Sequence, residues 1–199
     1  MLRESTGQAA AARGADSRLG WLASRVPVTA LVAAGVAMFV LYIAMDVIAS
    51  LAYDGYSYRD QTISELSAFD APTRPFWLVL SAVYQLLAFA FAFGVLAAAA
   101  RRSVRIVGGI LLLAAVVGLM WWLGPMHQRE VLAADGGTWQ DTLHLVTAGI
   151  SSVFFFAMIG VGAFAFGWPF RVYSFATIAL MLVFGLLMNM DMEGVSANE

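Results

Sequence analysis

Uncharged apolar blocks alternate along the chain with short polar stretches. Val26 to Met45, Phe76 to Ala100, Ile106 to Met126 and Val172 to Met190 carry no charge, and Thr142 to Phe170 is interrupted only by His144. Each block approaches or exceeds the ~20 residues needed to cross a ~30 Å hydrocarbon core at ~1.5 Å rise per residue. None alternates with period two, which argues against a β-barrel. The pattern predicts an all-α polytopic transmembrane bundle of five helices, at about residues 26–50, 76–100, 105–125, 140–167 and 171–190. Together they form a single domain over residues 26–190. Residues 1–25 are polar, rich in Ala and Gly, and are expected to be a flexible cytoplasmic tail. The apolar run after them is too long for a signal-peptide core of ~7–15 residues. Residues 191–199 are expected to be an outer C-terminal tail.

The connections fall into two kinds. Arg101 to Arg105 and Gly167 to Arg171 are short and basic, whereas Ala52–Pro75 and the segment from His127 to Thr138 are longer and acidic. In the first long loop Ile63, Leu66 and Phe69 recur at i, i+3 and i+6. That spacing predicts a short amphipathic helix lying at the membrane interface, capped by Thr62 or Ser64 and ended by Pro72 and Pro75. In the fourth block Ala148, Gly149, Ser151, Ser152, Gly160 and Gly162 are small, and are expected to let helices approach closely.

Composition agrees with the membrane reading. Residues are 61% hydrophobic and only 12% charged, about half the ~25% of a soluble domain. The absence of cysteine excludes disulfides, thiolate metal sites and a cysteine nucleophile. All 11 basic residues are arginine, so a lysine Schiff base is excluded as well. With a net charge of −2 and no basic run beyond Arg101, Arg102 and Arg105, nucleic acid is not an expected partner. The arginines also set an expected orientation. Arg3, Arg13, Arg18, Arg25, Arg101, Arg102, Arg105 and Arg171 fall on one side, and only Arg59, Arg74 and Arg129 on the other. Positive charge concentrates on the cytoplasmic side of membrane proteins, so the N-terminus is expected inside and the long acidic loops outside. Trp77, Trp121, Trp122 and Trp139 then mark the outer interface and Trp168 the inner one.

Chemistry, if present, is expected on the outer side. Asp46 ends the first block, and Asp141 and His144 are three apart at the start of the fourth, sharing a helical face. Asp141 also suits a helix N-terminus electrostatically. His144 lies a turn deeper and needs a partner, because an ionisable group within a span is costly unless it faces protein or water. The expected polar pocket comprises Asp46, Ser64, Glu65, His127, Asp141 and His144. Within it His127, Asp141 and His144 would suit zinc with one open position, if the fold brings them together.

The stretch from Gly55-Tyr56 to Pro72, with Gln61-Thr62-Ile63-Ser64-Glu65-Leu66-Ser67-Ala68-Phe69-Asp70-Ala71-Pro72 after an aromatic-rich turn, resembles a bacterial and archaeal membrane protein family, domain of unknown function 998. Its members show an Ile-Ser-Glu-Leu-Gly-Ala segment after the first membrane helix and a polar-flanked histidine opening a later one. Asp141-Thr142-Leu143-His144 is similar to that later element. The resemblance implies a multi-pass protein of a prokaryotic cell membrane and no particular mechanism. Family members continue with a Thr-Pro-Trp segment and a sixth membrane helix, so a C-terminal helix is expected to be missing here.

Three functional readings follow. The first is binding of a lipid, a small molecule or a partner protein at the outward polar pocket, with the first long loop as a lid. It is favoured by the absence of a Walker loop, His-Glu-x-x-His or Gly-x-Ser-x-Gly motif. The second is a metal-dependent or acid–base hydrolase at the outer leaflet. The third, a small transporter, has Gln85 as its main polar group near the midplane. The orientation is directly testable in this cysteine-free chain. Single cysteines at Ser57 and Gly136 should react with an impermeant thiol reagent on intact cells, and one at Ser103 should not. Labelling of Ser103 alone would reverse the assignment.

Overall fold

The computed structural model of the protein describes residues 27–196, with side chains described over 27–185. The N-terminal tail expected at 1–25 and the last residues, 197–199, lie outside this range. Among the described residues five helices are long and apolar enough to cross a membrane, and the chain is a multi-pass membrane protein. Helix α1 is Val28–Ala52, α2 is Arg74–Ala98 and α3 is Arg102–Gly118, continued by a 3-10 turn Leu119–Trp122. A short α4, Arg129–Ala133, precedes α5, Trp139–Gly162, and α6, Trp168–Ser196. The last helix runs six residues beyond 190, so residues 191–196 continue it instead of forming a tail.

The helix boundaries have local causes. Pro75 stands in the first turn of α2, where its missing N–H costs nothing. Pro169 does the same for α6. At α5, Thr138 and Asp141 form a capping box that satisfies two of the exposed N-terminal donors. Each span packs on the next in sequence: α1 on α2, α2 on α3, α3 on α5 and α5 on α6. The long loops between α1 and α2 and between α3 and α5 therefore meet at one end of the bundle. The short connections meet at the other, where the Arg101 guanidinium donates to the Ala165 carbonyl.

Burial is inverted relative to a water-soluble protein. Large apolar side chains such as Val36, Leu51, Leu86, Leu145 and Val153 point outward, while much of the buried set is alanine: Ala34, Ala49, Ala92, Ala115, Ala163 and Ala165. Lipid tails are as apolar as leucine, so outward leucines cost nothing and close backbone fit supplies the attraction between helices. The tightest fits are not where the small residues of the fourth block pointed. Gly149 and Gly160 face open space, and Ser152 is exposed. The close contact is between α1 and α2, where a Cβ on Gly94 would lie 2.6 Å from the Leu31 Cβ and 2.8 Å from its carbonyl carbon. Depth along a helix was legible in the sequence, but the face turned to a neighbour was not.

The short helix of the first long loop forms at Ile63–Ser67, as a 3-10 turn. It packs against α1 and α2 with Glu65 and Leu66 fully buried, so it is a wedge in the bundle rather than a cover on its surface.

Gly94→Ala should lower the melting temperature in detergent, with an overpacking cost of about 1–3 kcal/mol. Gly149→Ala should leave it unchanged or raise it, since it adds helix propensity of up to ~1 kcal/mol without a clash. Equal shifts for the two would contradict the packing.

Candidate functional site

A wedge of loop buried against the helices raises a question about its backbone polar groups, which need partners wherever they are cut off from water. The loop answers it with side chains. The Thr73 hydroxyl donates to the Leu66 carbonyl at 2.6 Å, and Arg74 Nη1 donates to the Ser67 carbonyl at 2.7 Å. The Phe69 N–H donates to the Met126 carbonyl at 2.8 Å, tying the first long loop to the second. Gly55, at φ +83°, and Asp70, at φ 62°, occupy left-handed conformations that turn the loop back over the helices.

Glu65, 1% exposed, is the hub of this closure. Its carboxylate accepts from the Thr62 N–H at 2.9 Å and from Arg129 Nη2 at 3.0 Å, with Gln61 Nε2 at 3.4 Å. Burial pushes the carboxyl pKa up, but the Arg129 guanidinium, the Thr62 N–H and the Gln61 amide together outweigh it. They hold the carboxyl below its ordinary value of 4.5.

Asp141 and His127 form a second cluster. Asp141 accepts from the Thr138 N–H at 2.7 Å, the Thr138 hydroxyl at 3.0 Å and the His127 N–H at 2.7 Å, and lies 2.9 Å from His127 Nδ1. The His127 ring also stacks on Phe69 at 4.4 Å. Asp141 therefore caps α5 and fastens the second loop to it.

His144, buried one turn further in, belongs to a third group. Its Nδ1 lies 2.9 Å from the Gly124 carbonyl, its Nε2 lies 3.1 Å from the Ser64 hydroxyl, and Trp121 meets the ring edge-on at 4.6 Å. A carbonyl only accepts, so Nδ1 carries the proton in the neutral ring and Nε2 presents a lone pair to Ser64.

The expected pocket thus divides. Ser64 and His144 meet, as do His127 and Asp141, while Glu65 pairs with Arg129. Asp46 joins none of them: its Oδ1 is buried without a hydrogen-bond partner, as is the Tyr56 hydroxyl. Among the described residues no three His, Asp or Glu side chains are placed to hold a metal ion. The zinc arrangement expected of His127, Asp141 and His144 is not formed, because His144 turns toward Gly124 and Ser64 while the other two engage each other.

Ser64 and His144 open onto a cavity of about 590 Å³ between the helices. At this end Ser67, Arg74, Trp77 and Trp121 also line it, and deeper in the walls are mostly apolar, with Leu111, Ala114, Phe155 and Met158 among them beside Ser81, Tyr84 and Ser151. Gln85 reaches the cavity too, but its Nε2 donates to the Ala115 carbonyl at 2.6 Å. It ties α2 to α3 and is not a free polar group at the midplane.

The model of a family described as a protein of unknown function (DUF998) matches residues 34–196, which takes in every residue of this site. The chain belongs to the DUF998 family. No curated protein and no solved structure matches it. The features of this DUF998 protein that sequence reasoning missed are backbone or long-range partners. The Gly124 carbonyl and the Arg129 guanidinium approach their targets from the second loop, and only the Gly124-Pro125 pair marked a turn there.

Glu65 yields a pH prediction. A carboxylate favoured by folding adds stability above its unfolded-state pKa, and that contribution is lost as pH falls through the lower folded value. Glu65→Gln should cost on the order of 1.5–3 kcal/mol at pH 7, read as a lower melting temperature in detergent. The gap from wild type should close as pH drops below 4.5. A gap independent of pH would contradict the ion pair.

Proposed function

We propose that this membrane protein binds the acyl chain of a lipid or similar single-chain amphiphile in its intramembrane cavity, with the polar end of the ligand at Ser64, Ser67, Arg74 and His144. The supporting observation is the cavity's polarity: mostly apolar along its depth, where Ser81 and Gln85 donate to the backbone carbonyls of Leu78 and Ala115, with hydroxyls, an imidazole and a guanidinium gathered at one end. Its volume of about 590 Å³ falls within the ~300–1,000 Å³ of small-molecule sites. On α5 the lining residues extend from His144 to Met158, about 21 Å of helix at ~1.5 Å per residue. That exceeds one leaflet's half of a ~30 Å core, so an extended chain can lie along the helices. A small polar metabolite would leave most of this wall unmatched.

Arginine distribution supports an outward-facing polar end, with the N-terminus cytoplasmic and the Ile63–Ser67 wedge plugging the outer end of the cavity. The wedge is held by side-chain bonds, and its release would open the cavity. The family resemblance supports a prokaryotic cell membrane as the location.

Native mass spectrometry of protein purified in mild detergent tests the binding. Wild type should retain one lipid-mass adduct per chain, and Ala114→Phe, which fills the cavity wall, should lower occupancy at least tenfold without unfolding the protein. Equal occupancy in both, or none in wild type, would refute the reading.

A further inference from the structure

The Ser64–His144 pair has a geometry that a mere structural tie does not require. Nδ1 faces the Gly124 carbonyl at 2.9 Å, which leaves the Nε2 lone pair for the Ser64 hydroxyl 3.1 Å away. Ser64 comes from the loop wedge and His144 from α5, and both line the cavity. A nucleophilic hydroxyl, a base within hydrogen-bond reach and a third group that fixes the base are the three parts of an activated serine. Here a backbone carbonyl takes the place that a carboxylate fills in a triad. The Trp121 edge at 4.6 Å further restricts the imidazole. Arg74, whose Nη1 donates to the Ser67 carbonyl, places on the wall of the same cavity a cation of the sign that stabilises negative charge on a carbonyl oxygen under attack.

We propose that Ser64 is a nucleophile and His144 its general base, acting on the ester of an acyl lipid held in the cavity; this rests on the lipid-binding reading above. Ser64 Oγ attacks the ester carbonyl carbon as its proton passes to His144 Nε2. The tetrahedral adduct collapses, the ester C–O bond breaks, and the alcohol leaves with the proton from Nε2. The acyl group is then carried on Ser64 Oγ. Water, giving one proton to Nε2, attacks the acyl carbon; the Oγ–C bond breaks, Oγ recovers the proton, and a carboxylic acid departs. Ester and water become acid and alcohol with no other reactant. Ser64 and Ser67 are half-buried at the loop end of the cavity, from which water would enter, while the mostly apolar depth holds the chain.

A long-chain alkyl fluorophosphonate, which phosphonylates activated serines, tests the assignment on the purified full chain, with lipid retention followed in parallel by native mass spectrometry. Wild type should give a covalent adduct that maps to Ser64, and Ser64→Ala should give none. His144→Gln, which keeps a side-chain amide in the same place, should be labelled about 10²–10⁴-fold more slowly at saturating probe, where differences in binding drop out, the usual contribution of a general base. Lipid retained without a Ser64 adduct would overturn the nucleophile and leave the binding reading intact. Undiminished labelling in His144→Gln would overturn the role of the imidazole. A Ser64 adduct in a protein that retains no lipid would overturn the binding reading and the lipid ester with it.

Discussion

An imidazole one turn inside a membrane span costs roughly 1–3 kcal/mol if its nitrogens find no partner, and the loop end of this protein is arranged around meeting that requirement at His144. One nitrogen meets the Gly124 carbonyl, which comes from the segment after α3. The other meets Ser64, which comes from the loop after α1. Because α5 carries the ring, a single side chain joins three parts of the chain distant in sequence. The wedge has to sit deep enough for Ser64 to arrive, and its remaining polar groups then need partners of their own. Thr73, Arg74 and Arg129 provide them.

The same constraint shapes the cavity. Holding the wedge with polar bonds from the start of α2, from α4 and from α5 leaves the space below it to be lined by helix faces. Those faces carry side chains too small, or too far apart, to fill it: Ala88, Ala114, Ala115 and Gly118 lie along its wall. Elsewhere the protein closes such gaps at glycines, with the Leu31 backbone against Gly94 and the Phe91 ring against Gly35. A bundle able to pack that closely, yet open beside its most constrained polar pair, has the form of a binding site. In the proposed binding of a chain, mostly apolar walls would supply affinity and the few fixed polar groups at one end orientation.

Much of the fold was legible in the sequence because span length and charge placement are one-dimensional properties. Five uncharged blocks required five helices, and the Gln61–Pro72 segment marked the loop that mattered. Ser64, Glu65 and His144 were identifiable from it and from the cost of a buried ionisable group. Azimuth was not legible. Asp46 lies at a depth that matched His144, yet the α1 residues lining the cavity are Met38, Phe39, Tyr42 and Met45. His127, Asp141 and His144 had the right chemistry for zinc, but ring directions depend on the Gly124 carbonyl, which no side-chain motif announces. Ala148 to Gly162 had the composition of a packing face, and Gly149 and Gly160 turned out to face open space.

The loop closure and the proposed chemistry both depend on which His144 nitrogen carries the proton, and the chain has only two histidines to distinguish. Nitrogen-15 NMR of histidine-labelled protein, assigned with a His127→Gln variant, reads the tautomer directly. The geometry predicts a ring protonated at Nδ1, with an unprotonated Nε2 accepting from Ser64. A His144 ring protonated at Nε2 would leave the Gly124 carbonyl without its donor and Ser64 without its base, and would contradict the arrangement on which both the loop wedge and the proposed chemistry rest.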